Sequence, residues 1–167
     1  MSGVRQLKII TLIFLGGGVL LFVLFAFALS DGIGSIRPIE DIQPPADPAL
    51  KWKVEKIHIG SSVDITGWAF YPGESILIYG THLVLRDVKT GALYRLPTKM
   101  VIREDLNKQY PSSFNYASGG FLARARTDQL PAPLSRYELC IQYFNNHQKI
   151  FINTHRNVQQ SGERTSK

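Results

Sequence analysis

Hydrophobic positions follow two regimes along this chain. From Ile9 to Leu29 the sequence reads IITLIFLGGGVLLFVLFAFAL, 21 residues without a charge and with Thr11 as the only side chain able to hydrogen-bond. At 1.5 Å rise per residue, a helix over that stretch reaches roughly 30 Å, the thickness of a bilayer's hydrocarbon core, and it satisfies its own amides. The pattern therefore predicts one transmembrane helix over residues 9–29. Ala26-Phe27-Ala28 offers the alternative of a cleaved secretory signal, although the apolar core of a signal is only about 7 to 15 residues long.

From Trp52 the pattern changes to short runs of β-branched and aromatic residues between turn-forming clusters, the signature of an all-β sandwich or barrel. Strands are predicted near 53–59, 62–70, 80–88, 92–102, 119–126, 136–144 and 149–155. Their logic is period two. In the sixth, Tyr137, Leu139, Ile141 and Tyr143 share one face and Glu138, Cys140 and Gln142 the other; in the fifth, Phe121, Ala123 and Ala125 alternate with Leu122, Arg124 and Arg126. Lys89-Thr90-Gly91 and Asn145-Asn146-His147-Gln148 read as hairpin turns, so consecutive strands are expected to pair antiparallel. In the second strand Val63 and Ile65 set an inward phase that Trp68 and Phe70 reverse, which predicts a bulge at Gly67. Arg103 to Tyr110 is the only helical stretch of the body, stopped by Pro111.

The expected organisation is a cytoplasmic N-terminus (1–8), a membrane helix (9–29), a proline-rich linker (30–51), a β-sandwich domain (52–158) and a tail without structure (159–167). The linker carries four prolines, which favour an extended spacer; an irregular segment packed on the domain is the alternative. Arg5 and Lys8 precede the span, whereas Asp31, Glu40, Asp41 and Asp47 outnumber Arg37 after it. Basic flanks stay inside, which predicts a single-pass protein with its N-terminus in the cytoplasm and its domain outside.

Gly67-Trp68-Ala69-Phe70, the hairpin 83–94, Arg103 with Asp105, Gly119-Gly120-Phe121 and the run 136–143 come in an order that resembles the small immunoglobulin-like β-sandwich modules of bacterial membrane proteins, several linked to surface polysaccharide assembly. The resemblance covers about 100 residues. It implies an antiparallel immunoglobulin-like sandwich of about seven strands serving as an accessory or recognition module of a bacterial inner membrane, periplasmic or extracellular, and it carries no catalytic residue across.

Charge and chemistry narrow the function classes. The formal charge is +6, and beyond Leu29 the chain holds 17 basic against 13 acidic residues, scattered rather than gathered into a run. Nucleic acid is therefore not an expected partner. No two histidines, and no histidine with Cys140, stand at metal-ligand spacing, so no metal and no cofactor are expected. Ser112, Ser118 and Asp105 have no G-x-S-x-G elbow around them, and no catalytic residue is assigned. Cys140, the only cysteine, is either a reactive thiol or a covered structural one. Exposed aromatics are the expected contact residues: Trp68, Phe70 and Tyr71 at a strand end, and Tyr110, Phe114 and Tyr116 in the loop 107–118. For Trp68 the alternative is the core tryptophan of the sandwich. The expected activity is non-enzymatic binding of a protein partner in a cell-envelope complex, with polysaccharide recognition as the alternative and membrane lipid contacted through residues 9–29.

Overall fold

The computed structural model describes residues 35–40, 46–74, 79–145, 148–161 and 163–164, and in them ten strands form two five-stranded sheets. The expected span over 9–29 lies outside these residues; among those described, no helix is long and apolar enough to cross a membrane. One sheet has the order β1 (Arg37–Ile39), β5 (Leu93–Arg95), β4 (Tyr79–Asp87), β8 (Tyr137–Asn145), β9 (Gln148–Asn157). The other has β10 (Glu163–Arg164), β2 (Lys51–Ile59), β3 (Ser62–Phe70), β7 (Gly120–Arg126), β6 (Thr98–Val101). Every pairing is antiparallel except the two-residue bridge between β10 and β2. Both sheets belong to one unit, Gly34–Lys167.

The main core is filled from both sheets, because each alternating strand turns its apolar phase toward the other sheet. Val54, Ile57, Val63, Ile65, Phe121, Ala123 and Ala125 meet Leu83, Leu85, Leu139, Ile141, Tyr143 and Ile150 there. In β7 and β8 the observed inward residues are those that period two picks out, since Arg124 and Arg126 need water and cannot face the core.

The stretch 92–102 is two strands in two sheets rather than one. Leu96 still donates its N–H to Leu83 of β4, at 2.8 Å, whereas the Pro97 carbonyl already accepts from Arg124 of β7, at 3.1 Å. Pro97 has no N–H to continue either ladder, and the chain crosses between the sheets at that point.

Strand β3 corrects the expected bulge. Its register against β7 is unbroken from Ser62 to Trp68, and the irregularity lies in β2, where Glu55 is the extra residue between Val54 and Lys56. The bulge lets Val54 and Ile57, three apart, both face the core. Trp68 and Phe70 do not reverse the phase of β3, because Ala69 stays in the main core and the two rings occupy the opposite, separately covered face.

The linker and the tail also differ from expectation where they are described. Residues 37–39 pair with β5 as an edge strand, a place that tolerates Pro38, and Leu50 is buried in the main core. The described part of the linker thus packs on the domain. Val158, the last residue of the expected domain, is buried in the core and opens a short helix, α2 (Val158–Ser161), that takes in the first tail residues, while Asn157 Oδ1 accepts from Gln159 N–H at 3.0 Å; β10 follows it. The apolar Val158 and the capping Asn157 supply the order that polar composition alone does not.

Between β6 and β7 the chain makes an excursion containing α1 (Glu104–Gln109), as the sequence predicts, with Glu104 and Asp105 in its first turn and Lys108 in its last, each at the favourable end of the helix dipole. The excursion is closed at its base by Arg103 N–H to the Ala117 carbonyl, 2.7 Å. Asn107 ties its interior, accepting from Tyr116 N–H at 2.7 Å and donating to Asn115 Oδ1 at 2.9 Å.

Candidate functional site

Four of the six candidate aromatics come together over the outer face of β3. Trp68 and Phe70 stack with ring centroids 5.5 Å apart, and Phe70 stacks on Tyr116 at 4.2 Å. Tyr110 closes edge-on against Trp68 at 5.5 Å and against Phe70 at 5.0 Å. Leu106 of α1 plugs the centre of the cluster, and Tyr116 Oη accepts from Gly73 N–H at 3.0 Å.

This arrangement is a second small core. Trp68 is 4 % exposed, Phe70 1 % and Tyr116 3 %, so these three rings offer no free face for stacking on a ligand. The excursion 103–117 is the lid that covers them. Tyr110 is partly buried against the same cluster, and Tyr71 is partly buried against the main core, with its N–H donated to Tyr143 Oη at 3.3 Å. Burial pushes the Tyr143 hydroxyl up to about 12. Of the six, Phe114 alone is a large exposed ring, at 37 %.

Two further large apolar residues of the same region are exposed, and the sequence reading missed both. Val101, at the end of β6, is 38 % exposed and Ile102 is 60 % exposed. Both immediately precede Arg103, so the exposed apolar side chains stand at the base and in the loop of one excursion. A sequence signal for Val101 exists: it shares the phase of Lys99, which must point to water, so period two already turns it outward. β6 is also a sheet edge, its only partner among the described strands being β7. Edges of this kind are natural places for another chain to dock.

A polar frame stands at the base of the excursion. Arg103 grips Asp105 through Nε at 2.8 Å and Nη2 at 2.7 Å, and Glu55, the bulge residue, through Nη1 at 2.6 Å. The Arg103 hydrogen bond holds the Asp105 carboxyl below the usual carboxylate range. A guanidinium shared between two carboxylates is a structural tie between β2 and the excursion, and it leaves no free acid–base pair there.

No group of three or more His, Cys, Asp or Glu suited to a metal ion occurs among the described residues. Cys140 packs with Val84, Leu93 and Phe151, and burial pushes its thiol up to about 12. A thiol so placed is protonated at neutral pH and out of reach. Iodoacetamide at pH 8 is therefore expected to leave native protein unmodified and to label Cys140 fully once guanidinium has unfolded it; labelling at equal rates in both states would contradict this packing. No protein-family model, no curated protein and no solved structure matches the chain.

Proposed function

We propose that this chain is a single-pass, membrane-anchored protein of a bacterial envelope whose immunoglobulin-like sandwich lies outside the cytoplasm and docks a protein partner of an envelope complex. The observation that carries the docking role is the exposure of Val101 and Ile102 at the edge strand β6 and of Phe114 in the excursion that follows it. A sheet edge with large apolar side chains left exposed is a natural docking place, and aromatic anchors recur at the centres of protein interfaces. The burial of Trp68, Phe70 and Tyr116 favours a protein partner over a glycan stacked on those rings.

Two further observations support the rest of the reading. With β2, β3, β4, β6, β7, β8 and β9 taken as strands A to G, the sheets are A-B-E-D and C-F-G, the order of the immunoglobulin fold, with β5 flanking β4. Tyr137 opens the sixth of these strands, the place a tyrosine corner takes in that fold. The anchor rests on the charge-free residues 9–29 and on the basic residues before them.

The test is affinity capture with the full chain from solubilised membranes. Wild type is expected to retain a defined protein partner, and Ile102→Glu combined with Phe114→Glu is expected to lose it by about tenfold or more, because a carboxylate inserted into an apolar contact is left desolvated. Lys89→Glu, in the β4–β5 turn, should capture normally. Retention of the partner by the double variant, or recovery of glycan alone, would overturn the reading.

A further inference from the structure

The crossover at Pro97 borders a cavity of about 240 Å³ lined by Ser35, Arg37, His82, Arg95 and the crossover residues 96–98. Its lining includes two arginines and a histidine and no carboxylate. Arg37 on β1 and Arg95 on β5 hold directly opposed positions in the register. Like charges placed so repel, and a short edge strand has little else to hold it against that repulsion.

The hydrogen bonding is incomplete in the same place. Arg95 donates through Nη2 to Gln142 Oε1 at 2.9 Å, but its Nε is buried and has no partner. His82 Nδ1 is buried without a partner as well. Its ring lies 5.2 Å from that of Phe144. Burial, and then the charge of Arg95, hold the imidazole below its ordinary pKa. The Thr98 hydroxyl is engaged elsewhere, accepting from Leu83 N–H and donating to the Leu96 carbonyl, at 3.1 and 3.0 Å, and bonds neither nitrogen. Buried polar nitrogens without partners are rare in folded proteins, and two on residues facing one polar cavity call for a common acceptor.

We propose that this cavity is a binding site for a phosphate group, presented either on a soluble phosphate ester or on a lipid headgroup. The opposed guanidinia select the charge. A phosphate monoester carries about −1.5 to −2 near neutrality and balances two arginines, whereas a carboxylate supplies one negative charge. The phosphate oxygens accept from Arg37, from Arg95 Nε and from His82 Nδ1, whose protonated form the dianion stabilises; the Ser35 hydroxyl stands at the rim. Ser35 follows the charge-free stretch by six residues, so a lipid phosphate is a natural second source; that arm alone rests on the membrane reading.

The experiment uses the full chain in non-ionic detergent with inorganic phosphate and glycerol phosphate as titrants, followed by calorimetry, and the same chain with phosphatidylcholine vesicles that do or do not contain phosphatidate. Wild type is expected to bind in at least one arm, and Arg95→Ala and Arg37→Ala to weaken that binding by about tenfold or more, with Arg126→Ala, paired to Asp128 elsewhere, as the unaffected control. Titrant binding assigns a soluble ester; binding only to phosphatidate vesicles, still dependent on Arg37 and Arg95, assigns a lipid. Circular dichroism verifies the fold of each variant, and a phosphate-dependent rise in the wild-type melting temperature, absent with chloride at equal ionic strength, gives a readout that needs no variant. Absence of that rise together with no arginine-dependent binding in either arm sinks the proposal, and leaves the docking reading, tested by capture, untouched.

Discussion

Phe70→Ala is expected to lower the stability of the domain by about 3–5 kcal/mol, the loss typical of emptying a buried aromatic site. Phe70 sits at the centre of the second core, with Trp68, Tyr110 and Tyr116 all within 5.5 Å of its ring centroid. Relaxation cannot close the hole easily, because Trp68 is fixed by β3 and Tyr116 is fixed by its hydrogen bonds to Gly73 and Asn107. The same substitution loosens the excursion 103–117, since Leu106 is anchored in that cluster. Denaturant titration followed by tryptophan fluorescence measures the change, and Trp68 reports from inside the cluster. Phe114→Ala, by contrast, should stay within about 1 kcal/mol of wild type, as exposed substitutions do. If the two variants proved equally stable, the rings of the outer β3 face would not form a core.

Much of the main core was legible from period two, because β7 and β8 each carry polar residues on the phase that faces away from it. The second core was not legible. Trp68 and Phe70 read as an outward phase, and an outward phase on a strand normally means solvent. What covers them is a segment some 40 residues later, and alternation within one strand holds no record of such a lid. The fused strand 92–102 failed for a related reason: alternation says which way a side chain points but not which sheet the strand joins, and Pro97 was the one local sign of the change. The exposed Val101 was legible in principle from the phase of Lys99, whereas Ile102, in the opposite phase and just past the end of β6, was not. The cavity was not, for Arg37 and Arg95 are opposed only through the pairing of β1 with β5, and the prolines around β1 argued for a free spacer.

Gly67→Ala is the second large effect, and its sign runs against the usual rule. A glycine inside a strand is ordinarily a weakness, and alanine there gains about 0.5–1 kcal/mol by restricting the unfolded chain. At Gly67 a Cβ would overlap the Lys53 carbonyl oxygen and the Phe121 ring. A side chain can rotate away, but the carbonyl belongs to β2, next to the bulge at Glu55, and moving it strains the ladder that joins β2 to β3. The expected result is a loss of about 3 kcal/mol or more, at the upper end of overpacking. Gly60 provides the contrast: a Cβ there meets nothing within 4 Å, so Gly60→Ala should be neutral or stabilising by up to about 1 kcal/mol. The two variants change the same atoms in the same unfolded chain, so the difference between their melting curves isolates the contact in the folded state. That contact is also why the inward phase of β3, carried by Val63 and Ile65, passes through a glycine before reaching Ala69. β2 and Phe121 close over position 67, and a larger residue there would force the bulged strand outward and expose the apolar face that the sandwich exists to bury.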